Sequence, residues 1–404
     1  MAASTAPERL DVLVVGGCGH VGLPLGIMLA KAGVQVGAYD TDEVRRATVG
    51  AGKMPFLEYG ADEVLPEVLG STFHLVDSLA TAERSDYVVI TIGTPVDEYL
   101  NPRFGPVVQL AEELAPLLSR DQHLMLRSTV YPGTTRELRR TLVELGCEAE
   151  VSYCPERIVQ GYAITELDRL PQIVSGFSER GVDEALRLFG RLTDRLITVE
   201  VEEAELAKLF LNSWRYIQFA IANQFFMIAE GLGADFFRIY DAMTEGYDRA
   251  SDLPPPGFTA GPCLLKDTMQ LAAFQRGNFQ LGQAAMLVNE GLANFIVDGL
   301  RARYEKLARL RVGILGMAFK GNIDDTRDSL AFKLRKILGF HGVEVLCSDV
   351  FVDDPSFVST DELVNRSDVI VLGAPHDAYR GLTLPEDKHL VDVWGFFRPQ
   401  LVRA

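Results

Sequence analysis

Residues 11–40, DVLVVGGCGHVGLPLGIMLAKAGVQVGAYD, contain the pattern that decides the fold of this chain. A β-branched run at 11–15 leads directly into glycines, and the glycines lead into the helical pattern LPLGIMLAKAG. A second apolar run, VQVGAYD, follows at 34–40. Strand, glycine turn, helix and strand in this order begin a parallel sheet with helices packed against it. The stretch therefore predicts a doubly wound α/β domain.

Further apolar runs continue this strand pattern on both sides of a helical middle. The predicted strands lie at 87–92, 123–127, 149–153, 171–176, 311–316, 343–349, 368–373 and 389–395. Residues 201–235 form one helical stretch without proline, and it is longer than an ordinary crossover helix. We therefore predict an α/β fold with two Rossmann-like domains, each a doubly wound parallel sheet, joined by a helical central domain with a long connecting helix. The predicted domain boundaries are 1–200, 201–304 and 305–404.

The composition is that of a folded globular protein, with 48% hydrophobic and 24% charged residues in a chain of 404. The formal net charge of −17 disfavours contact with a phosphate backbone, so we expect no nucleic-acid partner. There is no apolar run of transmembrane length, and the N-terminus lacks the basic region of a secretion signal. We therefore expect a cytoplasmic protein without a membrane partner.

The cysteines and histidines are scattered rather than clustered. The chain has five cysteines and six histidines, and none of them forms a CxxC or HxxxH pair. An odd number of dispersed cysteines does not indicate a disulfide framework. We expect no metal site, and a reducing cellular compartment fits this cysteine usage.

A GxGxxG fingerprint stands between the first predicted strand and the first predicted helix. Gly17 permits the tight turn, Gly19 lets the backbone approach a pyrophosphate, and Gly22 allows the helix to pack closely on the strand. The N-terminus of that helix would face the phosphates. Two further residues of the loop, His20 and Val21, are candidate cofactor contacts.

Asp40 follows the second predicted strand, where an acid binds the ribose of a dinucleotide. Its carboxylate would accept hydrogen bonds from both ribose hydroxyls and would repel a 2′-phosphate. The sequence therefore predicts that the cofactor is NAD rather than NADP.

The segment GPCLLKD at 261–267 places a cysteine in a glycine- and proline-rich loop immediately before a helical pattern. A thiol at a helix N-terminus is stabilised as a thiolate by the helix dipole, and Lys266 adds positive charge nearby. Cys263 is therefore a candidate nucleophile. The other cysteines are interpreted as small buried hydrophobic residues, namely Cys18, Cys147, Cys154 and Cys347.

Nine short motifs occur in one order along the chain. They are VVGGCGHVGLPLG at 14–26, YD at 39–40, GKMPFLEYG at 52–60, TIGTPVDE at 91–98, RSTVYPGTT at 127–135, PER at 155–157, the E-x-x-K-x-x-x-N of Glu205, Lys208 and Asn212, GPCLLKD at 261–267, and GMAFKGNIDDTRDS at 316–329. Over nearly its whole length the chain thus resembles the UDP-glucose/GDP-mannose dehydrogenase family. Each motif is short, but nine in one order are very specific.

The resemblance implies an NAD-dependent 6-dehydrogenase that oxidises the C6 alcohol of a UDP-sugar to a carboxylate, a four-electron oxidation. The aldehyde formed first would be captured by Cys263 as a thiohemiacetal, and the resulting thioester would be hydrolysed by water. Family analogy makes Glu156 the general base for that water and lets Asp267 and Thr129 position or activate it.

Lys208 and Asn212 fall one helical turn apart, hence on one face, where both would reach the developing oxyanion. Without the resemblance, Lys208 would be interpreted as a solvated partner of Glu205 and Asn212 as a surface residue. Glu156, which follows a proline, would be interpreted as a turn residue.

The resemblance also implies further binding residues. Those expected for NAD, beyond the fingerprint and Asp40, are Thr94, Pro95, Thr129 and Arg327. Those expected for the UDP-sugar are Glu156, Arg157, Lys208, Asn212, Arg249, Phe258, Gly261 and Lys320. Arg249 matches an arginine that dimers of this family often supply to the substrate of the neighbouring subunit.

We expect a homodimer, because the stretch at 201–235 has more apolar positions than one amphipathic face requires. The alternative is a helix buried on all sides within one subunit.

The loop before the cysteine departs from the family pattern. It usually reads Gly-Gly-Ser-Cys or Gly-Gly-His-Cys, whereas here it reads Ala260-Gly261-Pro262-Cys263. Proline removes a backbone N–H next to the nucleophile, so the local hydrogen-bond pattern must differ.

The motifs give mixed indications of the sugar. TPVDEYLNP, STVYPGTT and DDTRDS resemble the branch acting on UDP-N-acetylhexosamines, whereas the Lys266-Asp267 pair resembles the branch acting on UDP-glucose or GDP-mannose. We favour a UDP-N-acetylhexosamine, with a UDP-glucose 6-dehydrogenase as the alternative. A two-electron dehydrogenase of the 6-phosphogluconate type would share the layout but would have no use for the cysteine loop.

Overall fold

The computed structural model describes residues 7–94, 96–97, 105–259 and 261–398. It divides into two compact units, Met1–Leu211 and Asn212–Ala404. The division falls inside one long helix, so each unit contains part of that helix. Among the described residues, no helix is both long and apolar enough to span a bilayer.

The first unit alternates strands and helices, as the opening stretch of the sequence predicts. Its strands are Leu10–Val15 (β1), Val36–Tyr39 (β2), Phe73–Leu75 (β3), Ser85–Ile90 (β4), His123–Leu126 (β5), Glu150–Tyr153 (β6), Gln172–Val174 (β7) and Leu196–Thr198 (β8). Its helices are Gly22–Lys31 (α1), Glu43–Gly50 (α2), Ala61–Val68 (α3), Gly105–Leu114 (α4), Thr134–Glu144 (α5), Ala163–Glu166 (α6) and Glu179–Phe189 (α7).

Six of these strands form one parallel sheet in the order β3-β2-β1-β4-β5-β6. The inner strands are buried on both faces, which is why they read as continuous apolar runs in the sequence. The strand order reverses between β1 and β4, and the carboxyl edge at such a switch point is where ligands bind in open α/β sheets.

The sequence analysis did not predict two strands of the first unit, β3 and β8. Each has only three residues, which is too short to show an alternating or continuous apolar pattern. β3 lies at the edge of the large sheet, and β8 pairs in parallel with β7 in a separate two-stranded sheet.

The long helix predicted at 201–235 is present as Val201–Gly231 (α8). It ends in a glycine-containing turn, and Gly233 adopts a left-handed φ of 69°, a conformation that glycine adopts without steric cost. The helix is not buried on all sides, because several of its large apolar side chains, including Trp214 and Ile228, are exposed.

The second unit contains the remainder of α8, three more helices and then a second α/β arrangement. The three helices are Phe236–Thr244 (α9), Leu264–Phe274 (α10) and Gln280–Arg303 (α11). The α/β arrangement contains the helices Leu330–Phe340 (α12) and Thr360–Arg366 (α13). The strands are Arg311–Leu315 (β9), Glu344–Ser348 (β10), Val369–Leu372 (β11) and His389–Val391 (β12). They form a parallel sheet in the order β10-β9-β11-β12, so the predicted fold class is confirmed.

The turns after β1 and β9 are held in the same way, each by an acid that follows the neighbouring strand. Asp40, after β2, accepts a 2.9 Å hydrogen bond from the backbone N–H of Cys18. Asp349, after β10, accepts a 2.6 Å bond from Met317 N–H, but it also lies 3.0 Å from Nε2 of the fully buried His376. The second acid is therefore enclosed by protein, whereas the first is only partly buried.

Candidate active site

The glycine fingerprint lies in the turn between β1 and α1. A Cβ on Gly17 would stand 2.7 Å from the Ala38 side chain, and one on Gly22 would collide with the carbonyl oxygen of Gly16. Within α1, no side chain caps the N-terminal N–H groups. The turn therefore fits the pyrophosphate of a dinucleotide, because its glycines carry no side chains and no side-chain cap occupies the N-terminus of α1.

Asp40 is placed as the sequence predicts, at the carboxyl end of β2. One carboxylate oxygen accepts from Cys18 N–H, and the other accepts from Asp42 N–H at 3.0 Å. Each oxygen keeps a second lone pair, so the carboxylate retains the capacity to bind ribose hydroxyls. Asp42 has a different function: its side chain accepts from Arg45 N–H at 3.0 Å and caps helix α2.

His20 packs against Phe56, with ring centroids 4.0 Å apart, and its Nδ1 lies 3.4 Å from Nε2 of Gln160. Val21 is the N-cap residue of α1. The side chain of His20 therefore connects the glycine-rich loop to Phe56 of the 52–60 motif.

Thr94 and Thr129, both predicted near NAD, are in contact. The hydroxyl of Thr94 donates to the carbonyl oxygen of Thr129, which joins the loop after β4 to the loop after β5. Pro95, the remaining residue predicted in this loop, lies outside the described residues.

Glu156 lies beyond β6 in a closed set of hydrogen bonds. One carboxylate oxygen accepts from Nε and Nη2 of Arg127, with Nε at 3.0 Å, and the other accepts from the N–H groups of Arg157 and Ile158 at 2.6 and 2.9 Å. Arg127 is only 1% exposed and Glu156 only 6%. A buried carboxyl group that accepts from a guanidinium and two backbone N–H groups is held in a fixed orientation.

Arg157, predicted to bind the sugar nucleotide, is half-buried, and burial lowers the pKa of its guanidinium. The guanidinium donates to the carbonyl oxygen of Pro171. This contact directs the side chain toward the segment before β7 within the first unit.

Glu205 is fully buried rather than solvated, which rules out its interpretation as a surface partner of Lys208. Its carboxylate accepts from Gly133 N–H, from Thr135 N–H at 2.9 Å and from the Thr135 hydroxyl at 2.6 Å. These donors are at the start of α5, so Glu205 binds α8 to the N-terminus of α5. Lys208, one turn further along α8, is partly exposed.

The cysteine loop ends where α10 begins, and Cys263 is the N-cap residue of that helix. Its thiol is exposed, whereas the other four cysteines are buried. Pro262 precedes the N-cap, so its missing N–H removes no hydrogen bond from the helix. The backbone oxygen of Cys263 accepts from Asp267 N–H at 2.9 Å.

Asn212 and Asp267 form a buried polar pair below this loop. Nδ2 of Asn212 donates to Oδ2 of Asp267 at 2.5 Å, and Nζ of Lys266 lies 2.8 Å from Oδ1. The ammonium group is within ion-pair distance but outside hydrogen-bond geometry, so Oδ1 keeps an unused acceptor site. Asn212 is only 5% exposed, so its alternative interpretation as a surface residue is wrong.

Two buried asparagines hold the beginning of the cysteine loop, and sequence reasoning missed both. The N–H of Gly257 donates to Oδ1 of Asn223 at 2.8 Å. Nδ2 of Asn223 in turn donates to Oδ1 of Asn289 on α11 at 2.9 Å. The ring of Trp394 packs so closely on Gly257 that a Cβ there would collide with it. An asparagine in the middle of a long apolar helix is the one sequence signal that could have found them.

The remaining predicted residues lie on loops of the second unit. Phe258 is buried beside Gly257, and Gly261 packs on the ring of Phe319. Arg249 is exposed in a short 3₁₀ turn, and Lys320 is partly exposed in the loop after β9.

Three family models match the chain in succession. The NAD binding domain of the UDP-glucose/GDP-mannose dehydrogenase family matches residues 11–191, the central domain matches 202–291, and the UDP binding domain matches 313–399. The chain belongs to the UDP-glucose/GDP-mannose dehydrogenase family. The predicted family and the predicted NAD cofactor are thereby confirmed, as is the assignment of the chain to the NAD-dependent oxidoreductases.

Relatives of this dehydrogenase chain extend over almost all of its length. It is 27% identical to the UDP-N-acetyl-D-mannosamine dehydrogenase of Methanocaldococcus jannaschii, over 94% of this chain and 88% of that one. It is 24% identical to an NDP-N-acetyl-D-galactosaminuronic acid dehydrogenase of Ralstonia solanacearum, over 96% of this chain and 97% of that one.

Solved structures of family members have the same fold. The UDP-N-acetylmannosamine dehydrogenase of Pyrococcus horikoshii superimposes with a TM-score of 0.88 at 26% identity, covering 97% of each chain. A UDP-glucose dehydrogenase of Pyrobaculum islandicum gives the same TM-score at 24% identity and covers 98% of this chain and 96% of its own. At 24% identity, the second comparison supports only the fold.

Proposed function

We propose that this family member oxidises the C6 hydroxymethyl group of a UDP-N-acetylhexosamine to a carboxylate, with Cys263 as the covalent nucleophile. The observation that carries the proposal is the placement of Cys263. Its thiol is exposed at the N-terminus of α10, next to the buried Asn212–Asp267 pair, while every other cysteine is buried. A reactive cysteine requires both access and a setting that favours the thiolate.

NAD would be held by the fingerprint turn, by Asp40 and by the Thr94–Thr129 contact. When bound, NAD supplies the hydride acceptor for each of the two oxidation steps. Asp40 already binds the N–H of Cys18, so a ribose bound to this acid would also be fixed relative to the phosphate-binding turn.

Cys263 would act after the alcohol has become an aldehyde. Its thiolate adds to the aldehyde carbon and forms a thiohemiacetal, whose oxidation leaves a thioester. Water then breaks the carbon–sulfur bond, which releases the sugar acid and regenerates the thiolate. The dipole of α10 favours the thiolate at its N-terminus.

The oxygen that becomes negative in each tetrahedral intermediate needs nearby donors. We assign this function to Lys208 and Asn212, which lie one turn apart on α8. Asp267 orients the amide of Asn212 through the 2.5 Å hydrogen bond, so that its second N–H is free to point at an oxyanion.

Glu156 has its oxygens occupied by Arg127 and by two backbone N–H groups, which argues for a positioning residue rather than a strong base. We therefore propose Asp267 as the second candidate for the base that activates water. Its Oδ1 has an acceptor site that no hydrogen bond uses.

The UDP binding domain supports a UDP-sugar as the substrate class, and relatives named for N-acetylated sugars favour a UDP-N-acetylhexosamine. UDP-glucose is the second candidate, because the Lys266-Asp267 pair resembles that branch of the family.

We propose domain boundaries at 1–200, 201–304 and 305–404. We also propose that the enzyme is located in the cytoplasm.

We further propose a homodimer formed along α8 with a second copy of this chain. Exposed apolar side chains recur along α8 and just beyond its end at successive spacings of seven, four, three and four residues, at Trp214, Ile221, Phe225, Ile228 and Leu232. Leu232 is 81% exposed and Trp214 53%, so this stripe leaves a large apolar surface uncovered. A stripe with this spacing fits another helix of the same kind.

A panel of UDP- and GDP-sugars, with NADH counted for each sugar consumed, tests the proposed activity. We expect two NADH for each UDP-N-acetylhexosamine and a sugar acid as the product. One NADH for each sugar would contradict the four-electron reaction. Exclusive activity on UDP-glucose would show that the proposed substrate is wrong, but it would be compatible with the proposed mechanism.

A further inference from the structure

The segment at 316–329, after β9, contains two cations that the family resemblance assigns to ligands, Lys320 and Arg327. Arg327 forms an ion pair with Asp325 at 2.5 Å. Lys320 is partly exposed in the loop at 317–322. Because the chain has a formal net charge of −17, an anionic ligand depends on cations placed beside it. The structure around Lys320 therefore bears on how the pyrophosphate of a nucleotide is bound.

The beginning of the loop at 317–322 is bound to Asp349, the acid that follows β10. The N–H groups of Met317 and Ala318 donate to Oδ2 of Asp349 at 2.6 and 3.0 Å. Its other oxygen, Oδ1, accepts from the N–H groups of Phe351 and Val352 at 2.8 and 3.2 Å. Asp349 is therefore held by the residues that follow it while it holds the loop.

The end of the loop is bound to His376, which follows β11 and is fully buried. The N–H of Asn322 donates to Nδ1 of His376 at 2.9 Å. A backbone N–H can only donate, so Nδ1 carries no proton and Nε2 carries the proton of the neutral ring. Nε2 lies 3.0 Å from Oδ2 of Asp349 and donates to it. Both ends of the loop thus reach the same carboxylate oxygen, directly at the beginning and through the imidazole at the end.

Gly321 and Asn322 let the end of the loop approach His376 closely. A Cβ on Gly321 would stand 2.4 Å from the carbonyl oxygen of Pro375. Asn322 has a left-handed φ of 59°, which asparagine adopts more readily than most residues. Its Nδ2 donates to Oδ2 of Asp377 at 2.6 Å, and its Oδ1 accepts from Asp377 N–H at 2.8 Å. The residues on both sides of His376 thus also contact the end of the loop.

We propose that His376 is a positioning residue for substrate binding, which together with Asp349 fixes the backbone on both sides of Lys320. The proposal rests on the proposed function as a UDP-sugar dehydrogenase and on the contact between Lys320 and the sugar nucleotide that the family resemblance implies. A loop that is already ordered loses little conformational entropy when its ligand binds, so more of the attraction between the ammonium group and the pyrophosphate is retained as affinity. None of the nine family motifs contains His376.

Binding of UDP measured by isothermal calorimetry, with the full chain and without NAD or sugar, tests the proposal. His376→Phe removes both ring nitrogens but keeps a ring to pack on Phe351 and Tyr379, whose ring centroids lie 5.0 and 5.3 Å from that of His376. We expect the dissociation constant for UDP to rise about 10-fold, as when one charged contact is weakened. The affinity for NAD should be unchanged, since the fingerprint turn belongs to the first unit.

Hydrogen exchange of a peptide over 316–323 provides a readout that needs no ligand. Deuterium uptake should be faster in His376→Phe, because the N–H of Asn322 loses its acceptor. His376→Gln should restore slow uptake and bring UDP affinity to within about 3-fold of the parent value, because its amide offers an acceptor and a donor in one planar group. The matched control is His389→Phe, since His389 is a partly buried histidine of β12 whose Nδ1 lies 3.0 Å from the hydroxyl of Tyr304. Both properties should stay at parent values in this control.

A double variant shows whether His376 acts through Lys320. Lys320→Gln alone should weaken UDP binding about 10-fold, because the ammonium charge is lost. Adding His376→Phe should then cost less than about 2-fold, because two residues that act on one contact do not have additive effects. Additive losses would mean that His376 affects binding by another route, and they would overturn the proposal.

Parent-like UDP affinity in His376→Phe or in Lys320→Gln would also overturn the proposal. If His376→Phe does not fold, Asn322→Gly takes its place, because glycine adopts the left-handed conformation, keeps the N–H and removes only the two bonds to Asp377. Its UDP affinity should fall only when Lys320 is present, and an unchanged affinity would contradict the positioning of Lys320. If UDP binding responds as expected but no UDP-sugar is oxidised, the proposed function fails and the positioning function of His376 stands.

Discussion

Asn212 donates a 2.5 Å hydrogen bond from Nδ2 to Oδ2 of Asp267, and both side chains are buried. A buried carboxyl group depends on each donor that reaches it, because leaving a buried polar group unsatisfied is costly. The bond therefore serves the stability of the fold as well as the orientation of the amide.

Asn212→Ala is expected to lower the free energy of unfolding by about 1–3 kcal/mol, because Asp267 loses its short hydrogen bond. Acid formation should fall by about 100-fold or more if the amide also faces the oxyanion. Chemical denaturation and an NADH assay measure the two effects. The exposed Gln224 on the same helix provides the control, and a Gln224→Ala variant with equal losses would contradict the assignment.

Cys263 should be the single cysteine that iodoacetamide labels in the native protein at neutral pH. Burial raises the pKa of Cys18 and Cys154 to about 12 and that of Cys347 to about 11, and Cys147 is also buried. The raised pKa keeps the first three thiols neutral, and burial makes all four inaccessible, whereas Cys263 is exposed. Peptide mass spectrometry of native and unfolded samples measures the labelling. Early labelling of any other cysteine would show that burial does not protect it.

Cys263→Ser should abolish formation of the sugar acid, because a serine alkoxide forms far less readily than a thiolate at neutral pH. NAD affinity should be retained, since the fingerprint turn is unchanged. Product analysis and NAD titration measure the two properties. Acid formation near the parent rate would mean that the reaction needs no covalent sulfur intermediate.

Asp40→Ala should weaken NAD binding and increase the relative use of NADP, because the ribose loses its acceptor and a 2′-phosphate loses a repelling charge. The loss of the bond to Cys18 N–H should add to the effect. Asp42→Ala is the matched control: it should cost about 1 kcal/mol of stability, since Asp42 caps α2, but leave the cofactor ratio unchanged. Equal cofactor ratios in the two variants would relocate the ribose site.

Asp349 should give the protein a stability that is lost in acid. Burial alone would raise its pKa, but hydrogen bonds from His376, Phe351 and Met317 lower it below its ordinary value of 3.8. A lowered carboxyl pKa stabilises the fold above the unfolded-state pKa, and this stability disappears as pH falls through the folded-state pKa. The gap in unfolding free energy between parent and Asp349→Asn should thus be constant above about pH 5 and shrink below about pH 4.

Substitution of the α8 stripe should separate the proposed dimer. Phe225→Glu combined with Ile228→Glu places charges on the apolar surface and should give a monomer by light scattering. Leu287→Glu is the control, because Leu287 is 70% exposed and belongs to α11 rather than to α8. A parent protein that is monomeric while fully active would refute the dimer itself.

The local sequence determined the fold class and the cofactor, and it singled out the candidate nucleophile Cys263. Strands such as β1 and β9 are short apolar runs followed by glycine turns, and this pattern is complete within about thirty residues, as in a βαβ unit. Cys263 could be singled out because its loop and the helix after it are also local. The three-residue strands β3 and β8 carry too little pattern to be found in this way.

Only the tertiary structure decided which polar side chains have partners far away in the chain. Glu205 is not a solvated partner of Lys208, because the folded α8 brings its carboxylate to the N-terminus of α5. Glu156 meets Arg127 only when β5 and β6 lie side by side, and Asn223 meets Asn289 only when α8 packs against α11. The physical reason is that burial makes a polar group depend on whichever donor or acceptor the fold places beside it, and sequence spacing does not encode that neighbour.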